Sequence, residues 1–405
     1  MLYATTARID LDALADNLRQ VRALVGDRAI MLAVKGDAYG HGAVPVSRYL
    51  QDEGLVDWFG VATVPEGMEL QERGIRAPIL KLSPCFPEEL DAALGAGLAI
   101  TVADAVTIEA AETAAARCGV TAHVHLKVDT GMHRIGCDPD TAVALADSIT
   151  ACEHLDFQGV FTHLPASDTV DDDAYTRDEL ARFTAVVARI QDSRRATGQP
   201  PVPLVHASNS GAVLAHDLTG LTLVRPGIMA YGYAPDPARP SPVALRPVMS
   251  LTSRVVAVAR VAAGETVSYG RTWTASVDSW IATVPVGYAD GFSRRNSNAG
   301  HMLIGGRPYP VAGRVCMDLT MLDLGPADTD SPPVCVGDEV IWLGTQGDEQ
   351  ITADELAALM GTISYEVVTL VSPRILRVYE PTGAVYQIGS YRLPERLNHA
   401  DDNGQ

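Results

Sequence analysis

The segment Ile30-Met31-Leu32-Ala33-Val34-Lys35-Gly36-Asp37-Ala38-Tyr39-Gly40-His41-Gly42 contains an apolar run that ends at a lysine and is followed by a glycine-rich turn. An apolar run of this length predicts a buried strand. Burial at the strand end disfavours the charged ammonium of Lys35, so its pKa should be lowered and its amine could form a Schiff base with an aldehyde. The glycines would let backbone amides approach a phosphate. The combination indicates pyridoxal 5′-phosphate; the alternative is an ordinary strand-end lysine that reaches solvent.

Outward from this segment, the first 240 residues alternate between apolar runs and helical patterns, such as the one formed by Leu180, Phe183, Val187 and Ile190. Eight runs with helices between them predict an α/β fold, a (β/α)8 TIM barrel over residues 1–240. An open doubly wound sheet is the alternative; it would usually carry a GxGxxG turn after its first strand, and we find none. The eight runs lie at 29–35, 58–63, 78–82, 98–102, 122–128, 157–163, 203–207 and 221–229.

The character of the sequence changes at the proline-rich segment 235–242, which is typical of a linker. Beyond it, short β-rich runs alternate with turn signals and are interrupted by one helical pattern at about 353–360. We expect a mostly-β domain over residues 241–385, followed by a polar C-terminal tail at 386–405. The predicted strands lie at 255–258, 281–286, 340–343 and 375–378.

The composition indicates a globular protein of more than one domain. The chain has 405 residues, which is longer than a chain that usually folds around a single hydrophobic core, and 47% of its residues are hydrophobic. A formal net charge of −19 argues against binding to nucleic acid or to an anionic membrane surface. No apolar stretch has the length of a membrane span and the N-terminus lacks the pattern of a signal peptide, so we expect a cytoplasmic protein. The six cysteines form no CxxC pair, so neither a metal site nor a disulfide framework is expected.

Polar side chains cluster at five of the eight predicted strand ends, where the chemistry of such barrels lies. This placement favours an active site at that rim; the alternative is solvated strand ends and core histidines. The residues are Lys35 and Tyr39 after the first strand, Lys127, Asp129 and Arg134 after the fifth, His163 at the sixth, His206, Asn209 and Ser210 after the seventh, and Arg225 and Gly227 in the eighth.

Two of these residues, Lys127 and Arg134, would place two positive charges in one site. Lys127 and Asp129 lie two residues apart and therefore share a face of the predicted strand. Something must neutralise one of the cations, and either a nearby carboxylate or a modification of Lys127 could do so.

In the β half, Tyr269 lies in a turn within Val267-Ser268-Tyr269-Gly270, and the segment 313–318 forms another compact turn. Taken alone, Tyr269 is more typical of a packed aromatic side chain than of a base.

Six sequence motifs resemble those of the bacterial alanine racemase family, which depends on pyridoxal phosphate, and they occur in the same order as in that family. The resemblance covers about residues 6–380. It implies a barrel joined to a β domain, and a head-to-tail homodimer in which the β domain of each subunit completes the active site of the other. It also implies interconversion of L- and D-alanine. The motifs are the segments 33–42 (AVKGDAYGHG), 127–136 (KVDTGMHRIG), 268–270 (SYG), 287–291 (GYADG), 313–318 (GRVCMD) and 363–366 (ISYE).

The resemblance also implies roles for individual residues. Lys35 would hold the cofactor, Arg225 would bind its pyridine nitrogen, and Arg134 would bind its phenolic oxygen and help place the substrate carboxylate. Lys127 stands where the family often has a carbamylated lysine. A carbamate is an anion, so this modification would remove the repulsion between Lys127 and Arg134. The remaining expected residues are Tyr39, Ser210, Gly227, Ile228 and Tyr365 at the phosphate, His163 at the cofactor, and Met317 and Tyr288 of the partner subunit at the substrate and its access channel.

Racemisation needs proton transfer at both faces of the substrate Cα. By resemblance, Lys35 handles the proton of D-alanine, and Tyr269 of the partner subunit handles that of L-alanine. A tyrosine with a reference pKa near 10 needs local positive charge to act as a base, and His163 and Arg225 could supply it. Arg225 can only donate hydrogen bonds, so it should keep the pyridine nitrogen unprotonated and limit side reactions.

One stretch and two single positions depart from the family pattern without removing a catalytic group. They are the residues that follow His163, Ser208 where alanine is usual, and Leu319 where glutamine is common. They leave the substrate open between alanine and another amino acid such as serine. A barrel-type amino-acid decarboxylase would place an acidic residue, not Arg225, at the pyridine nitrogen. A non-catalytic cofactor-binding protein would resemble the barrel alone, without the β half that carries Tyr269.

Overall fold

The computed structural model of the chain describes residues 4–386. The chain divides into two compact units. The barrel unit comprises Ala13–Tyr39 and Ala43–Arg246, and the β unit comprises the residues up to Asp12, Gly40–Gly42 and the chain from Pro247 onward.

The barrel unit is built on a parallel sheet of eight strands that neighbour one another in sequence order. The last strand pairs with the first, with Ala29 opposite Leu223, and the Arg225 N–H donates to the Ser208 carbonyl at 2.9 Å beyond the ends of the last two strands. These pairings confirm the predicted (β/α)8 barrel. Its strands are Ala29–Ala33, Trp58–Val61, Ile79–Pro84, Ala99–Val102, Ala122–Lys127, Leu155–Phe161, Leu204–His206 and Leu223–Val224.

Helices follow the strands, and local hydrogen bonds define where several of them begin. Thr63 caps one helix through a capping box with Glu66, and Asp104 caps another with Thr107. Within the described residues, no helix combines the length and the apolar content that crossing a membrane requires. The helices preceding residue 246 are Leu11–Val25, Ala43–Asp52, Val64–Glu72, Pro87–Gly95, Ala105–Cys118, Ala142–Ala151, Asp173–Ala196 and Ser210–Ala215, with a 3-10 turn at Val170–Asp172.

The barrel interior is apolar in one layer and polar toward the carboxyl ends of the strands. Met31, Leu80, Ala99 and Leu223 form a buried cluster in the apolar layer. Because all eight strands run the same way, the residues that follow them converge on one rim of the barrel, which positions the candidate site.

Within the described residues, the β unit contains three separate sheets and two α-helices, Ala353–Met360 and Ser364–Thr369. A mostly-strand C-terminal half was predicted and is confirmed, and the helix predicted at about 353–360 is present. The sheets consist of an eight-stranded one (Thr6–Asp10, Met249–Arg254, His301–Ile304, Arg307–Pro310, Glu339–Gln346, Glu349–Ile351, Leu376–Glu380, Ala384–Tyr386), a three-stranded one (Ala257–Val261, Ser279–Val284, Thr320–Pro326) and a hairpin (Thr266–Val267, Trp273–Thr274).

The N-terminal strand lies in a different unit from the one predicted for it. Thr6–Asp10 pairs antiparallel with Met249–Arg254 and parallel with Leu376–Glu380, so it belongs to the β unit although the predicted barrel range began at residue 1. The tail predicted at 386–405 lies, apart from residue 386, outside the described residues.

Candidate active site

The turn Lys35–Tyr39 follows the first barrel strand in an unusual backbone conformation. Asp37 and Ala38 lie at φ values of 53° and 54°, in the left-handed region that non-glycine residues rarely adopt. The turn is held in part by Glu66, whose Oε1 accepts from the N–H of Gly36 at 2.8 Å. Strain of this kind persists where the surroundings enforce it, and it is concentrated at functional sites.

Four cationic side chains come together at the rim of the barrel: Lys35, Lys127, Arg134 and Arg225. Burial lowers the pKa of Lys35, and the positive charges of Arg134 and Arg225 lower it further, against the opposing effect of Glu66. Burial, followed by the charges of the two arginines, lowers the pKa of Lys127 to about 8. The arrangement therefore makes both lysines easier to deprotonate than an exposed lysine, and it favours the binding of an anion near them.

Tyr39, Ser210 and Gly227 meet on one side of this rim. The Ser210 hydroxyl accepts from the N–H groups of Gly227 at 2.9 Å and of Met229 at 3.3 Å. A Cβ at position 227 would lie 2.7 Å from the Tyr39 hydroxyl, so only glycine permits this approach. Ile228 is fully buried, and its N–H has no hydrogen-bond partner among residues 4–386.

Arg225 is held rigidly at the centre of the rim. Its Nη1 donates to His206 Nδ1 at 2.9 Å. Its Nη2 donates to the carbonyls of Thr162 at 2.8 Å and Ala207 at 3.0 Å, with His163 Nδ1 at 3.3 Å. The guanidinium is almost fully buried, yet these acceptors keep it in its donor form.

In the β unit, Tyr269 begins a 3-10 turn and is 70% exposed. The preceding Ser268 has a φ of 67°, and its hydroxyl donates to the Arg314 carbonyl at 2.6 Å. A Cβ at Gly313 would lie 2.6 Å from the Val267 carbonyl oxygen, so the two turns pack in close contact. This contact holds the backbone of the turn that carries the exposed Tyr269 in place.

Tyr288 and Met317 lie on turns of the β unit that hydrogen-bond to each other. The Tyr288 N–H donates to the Cys316 carbonyl at 3.1 Å, and the Ala289 N–H donates to the Met317 carbonyl at 3.0 Å. Tyr288 is 43% exposed and Met317 is 54% exposed. Tyr365 lies on the helix Ser364–Thr369 of the same unit.

Comparisons with known proteins agree with this geometry. The family described as alanine racemase, N-terminal domain, matches residues 9–235, and the family described as alanine racemase, C-terminal domain, matches residues 248–379. The chain belongs to the alanine racemase family. An alanine racemase of Cutibacterium acnes is 50% identical over 92% of this chain and 97% of that protein. One of Symbiobacterium thermophilum is 42% identical over 93% of this chain and 97% of that protein. The solved structure of an alanine racemase of Clostridium difficile 630 matches with a TM-score of 0.86 and 36% identity, covering 97% of this chain and 100% of that one.

Alanine racemases use pyridoxal 5′-phosphate, and residues of the barrel unit fit this group. Lys35 offers an amine of lowered pKa for the cofactor aldehyde. The excess of positive charge at the rim suits a phosphate. The N–H of Ile228, which has no hydrogen-bond partner in the described part of the chain, provides a donor for it beside Ser210.

One expectation for an alanine racemase site needs correction. His163 was expected to help supply positive charge for a tyrosine base. Burial, followed by the charge of Arg225, lowers the pKa of His163 well below its ordinary value. His163 is therefore neutral at neutral pH, and Arg225 is the cation of this pair.

Three residues that support the alanine racemase site were not singled out from the sequence. His125 shares a hydrogen bond with His206 inside the barrel. Glu179 lies buried against the loop that carries Arg134. Arg374 hydrogen-bonds to the turn that carries Tyr288. For His125 a signal existed, because it lies two residues before Lys127 and shares its strand face. Among residues 4–386, no group of three or more His, Cys, Asp or Glu side chains could hold a metal ion.

Proposed function

We propose that this chain interconverts L- and D-alanine with pyridoxal 5′-phosphate, using Lys35 and Tyr269 of the partner subunit to move the Cα proton. The observation that carries this proposal is the partly buried amine of Lys35, whose pKa is lowered by desolvation and by Arg134 and Arg225. Such an amine can bond an aldehyde and can also accept a proton at neutral pH. A cytoplasmic location, expected from the sequence, is part of the same proposal.

The family resemblance assigns the remaining roles. Arg225 faces the pyridine nitrogen, and Arg134 binds the phenolic oxygen and the substrate carboxylate. The phosphate site consists of Tyr39, Ser210, Gly227, Ile228 and Tyr365, of which the first four are in the barrel unit; His163 is a further cofactor contact. Tyr288 and Met317 serve the substrate of the other subunit.

When bound, the cofactor supplies a conjugated ring that delocalises the charge left at Cα after proton removal. Nζ of Lys35 accepts or returns the proton on one face, and Oη of Tyr269 does so on the other. Arg225 donates hydrogen bonds and has no proton to give up at neutral pH, so the pyridine nitrogen in front of it stays unprotonated. A weaker electron sink favours simple proton return over side reactions.

The exposure of three β-unit residues supports their assignment to a partner subunit's site. Tyr269, Tyr288 and Met317 are 70%, 43% and 54% exposed within their own chain, so their side chains are free to contact a second subunit. We propose a head-to-tail homodimer, with residues 241–385 contributing to the partner's site.

We also propose that Lys127 is carbamylated. Its pKa of about 8 gives an appreciable fraction of neutral amine, which is the form that bonds to CO2 with loss of a proton. The resulting anion would lie among Lys35, Arg134 and Arg225 and would balance one of their charges. Alkylation of the carbamate, followed by peptide mass spectrometry, should locate a trapped carboxyl group at residue 127.

A product assay in D2O tests the proposed reaction. L-alanine incubated with the chain should acquire α-deuterium and yield D-alanine. A decarboxylase would release CO2, and a non-catalytic cofactor binder would do neither. Both families matched by the chain, including the C-terminal one over residues 248–379, favour the racemase over these two alternatives. L-serine and larger amino acids in the same assay determine the substrate range.

Borohydride reduction tests the assignment of Lys35 separately. The sequence contains three lysines, Lys35, Lys81 and Lys127, so peptide mapping has three candidates. The reduced cofactor should be found on Lys35. Lys81 is an internal control, because its Nζ is satisfied by the Pro84 carbonyl at 2.8 Å. Label on Lys81 or Lys127 instead would overturn the assignment.

A further inference from the structure

Two buried histidines continue from Arg225 into the interior of the barrel. His206 Nδ1 lies 2.9 Å from Arg225 Nη1, and His206 Nε2 lies 2.9 Å from His125 Nδ1. Both histidine side chains are fully buried. His125 ends the series, because its Nε2 has no hydrogen-bond partner within the described residues.

The chemistry of the three groups fixes the position of each proton. A guanidinium can only donate, so His206 Nδ1 must carry a lone pair. His206 must then carry its proton on Nε2 and donate it to His125. His125 Nδ1 must accept, so the proton of His125 is on Nε2. The direction of donation thus runs from Arg225 to His206 Nδ1, and from His206 Nε2 to His125.

The packing holds both rings in place. Phe161 stacks on His206 with ring centroids 4.7 Å apart and planes 2° apart. Trp58 meets His125 edge-on at 5.5 Å. A Cβ at Gly159 would overlap the His125 ring, so a larger residue there would displace it. The His125 ring therefore occupies a defined slot, although this leaves a buried N–H without an acceptor, an arrangement that native proteins rarely retain.

Neither ring takes up a second proton at neutral pH. Burial, followed by the charge of Arg225, lowers the pKa of His125 to about 3. The same two causes lower the pKa of His206 well below its ordinary value. The two histidines thus act as neutral groups whose tautomers are set by their neighbours.

We propose that His125 is a positioning residue: it keeps the proton of His206 on Nε2, so that His206 Nδ1 stays available to orient Arg225. Without an acceptor at position 125, His206 could carry its proton on Nδ1, where it would oppose the Arg225 donor. The effect on catalysis rests on the proposed function, in which Arg225 faces the pyridine nitrogen; the tautomer assignment does not.

Long-range ¹H–¹⁵N spectra of the histidine-labelled, cofactor-loaded full chain test the tautomers directly. Both His125 and His206 should show protonated Nε2 and unprotonated Nδ1, unchanged across neutral pH. A proton on His206 Nδ1 in the wild-type protein would overturn the proposal. This measurement needs no variant and no activity, so its outcome is independent of whether the chain is a racemase.

Two substitutions at position 125 separate positioning from packing. Asparagine can present an oxygen acceptor near the place of Nδ1, whereas leucine cannot. His125→Leu should release the His206 tautomer, shift the cofactor absorbance and lower kcat roughly tenfold, the value of one net hydrogen bond, with a smaller change in KM. His125→Asn should restore the tautomer and most of kcat.

The matched control is His123→Leu, on the same strand but exposed, where His123 pairs with Asp156. It should leave the spectra and kinetics unchanged. If His125→Leu leaves the His206 signals and kcat as in the wild type, or if His125→Asn is as impaired as His125→Leu, His125 does not position Arg225. If the tautomers are as expected but no variant or wild-type protein racemises alanine, the proposed function fails and the positioning of Arg225 stands.

Discussion

At the scale of single residues, the two bases of the proposed reaction differ in their surroundings. Lys35 is a partly buried amine among cations, and Tyr269 is an exposed phenol on a tightly held turn. If each base serves one face of the substrate, losing one should stop inversion but spare exchange on the other face. This asymmetry can be measured, because the α-proton of alanine exchanges with solvent only through a base.

We predict that Tyr269→Phe strongly impairs racemisation but spares hydrogen exchange on one face of the substrate. Because the two enantiomers are equal in free energy, kcat/KM must fall equally in both directions, by roughly 100- to 10,000-fold. D-alanine should nevertheless acquire deuterium from D2O without inversion, through Lys35. Proton NMR with chiral chromatography measures both. Tyr309→Phe, on the strand Arg307–Pro310, is the control. Equal loss of exchange for both enantiomers would contradict the two-base scheme.

A second residue-scale feature is the buried carboxyl of Glu179. Neither of its oxygens has a hydrogen-bond partner within the described residues, and burial, against the charge of Arg182, raises its pKa to about 7. The negative charge of Asp129 contributes to this rise. The carboxyl lies against Gly131 in the loop that leads to Arg134. Its protonated form is therefore the one that suits the folded loop.

The pH dependence of stability follows from this shift. A carboxyl whose pKa is higher in the folded state binds more protons when folded, so stability falls as the pH rises from about 4.5 to about 7. Glu179→Gln does not titrate, so it should gain roughly 1–3 kcal/mol relative to the wild type between about pH 5 and about pH 8. Urea unfolding at both pH values measures the gain. Asp178→Asn, at the exposed residue next to Glu179, is the control. If the difference in unfolding free energy between Glu179→Gln and the wild type did not change with pH, the raised pKa of Glu179 would be refuted.

The residues of the proposed chemistry are easier to single out in the sequence than the buried polar residues around them. Lys35 and Arg225 are charged groups at the ends of apolar runs, a local anomaly visible in the chain itself. His125 and Glu179 are polar groups whose burial depends on distant glycines, Gly159 and Gly131, that leave room for them. No local pattern reports that room, so their roles become visible only in three dimensions.

At the scale of elements, the turns that carry Tyr288 and Met317 are joined by Arg374. Its Nε and Nη2 donate to the two carboxylate oxygens of Asp290 at 2.7 and 2.8 Å, and its Nη1 donates to Asp318 at 2.8 Å. Asp290 is fully buried, and it also accepts from the Gly287 N–H at 2.8 Å. The Arg374 guanidinium therefore connects both turns, and its positive charge balances the buried negative charge of Asp290.

Arg374→Gln should destabilise the protein on the order of 3 kcal/mol, because Asp290 loses its buried counter-charge. The control is Arg8→Gln in the same unit, where the partner Glu339 is exposed and the loss should stay below about 1 kcal/mol. Adding Asp290→Asn to Arg374→Gln should recover part of the stability, since no buried charge remains. Denaturant unfolding compares all four proteins; equal losses for the two arginines would refute this account.

Elements with strong local patterns were predicted, and those defined by distant pairing were not. The eight barrel runs are apolar enough to identify each strand within a few residues. Thr6–Asp10 alternates in character and takes its place only by pairing with strands more than 200 residues away, at Met249–Arg254 and Leu376–Glu380. The predicted strand 255–258 is displaced to Ala257–Val261, because residues 255 and 256 lie between the end of the strand Met249–Arg254 and the start of the next strand.

At the scale of the whole molecule, the two units carry different parts of the chemistry. The four cations and the turn Lys35–Tyr39 lie in the barrel unit, and the exposed Tyr269, Tyr288 and Met317 lie in the β unit. If the proposed dimer is head-to-tail, the barrel of one subunit works with the β unit of the other. A subunit with a defective barrel site can then still lend an intact tyrosine.

Mixing two inactive variants tests this exchange. In a dimer of a Lys35→Ala chain and a Tyr269→Phe chain, one site lacks both bases and the other has both, from different subunits. Unfolding and refolding an equal mixture should therefore restore about a quarter of the wild-type activity, since half of the dimers are mixed and each has one intact site. Each variant refolded alone is the control and should stay inactive. If Tyr269 served the site of its own chain, every site in the mixture would lack one base, and no activity would return.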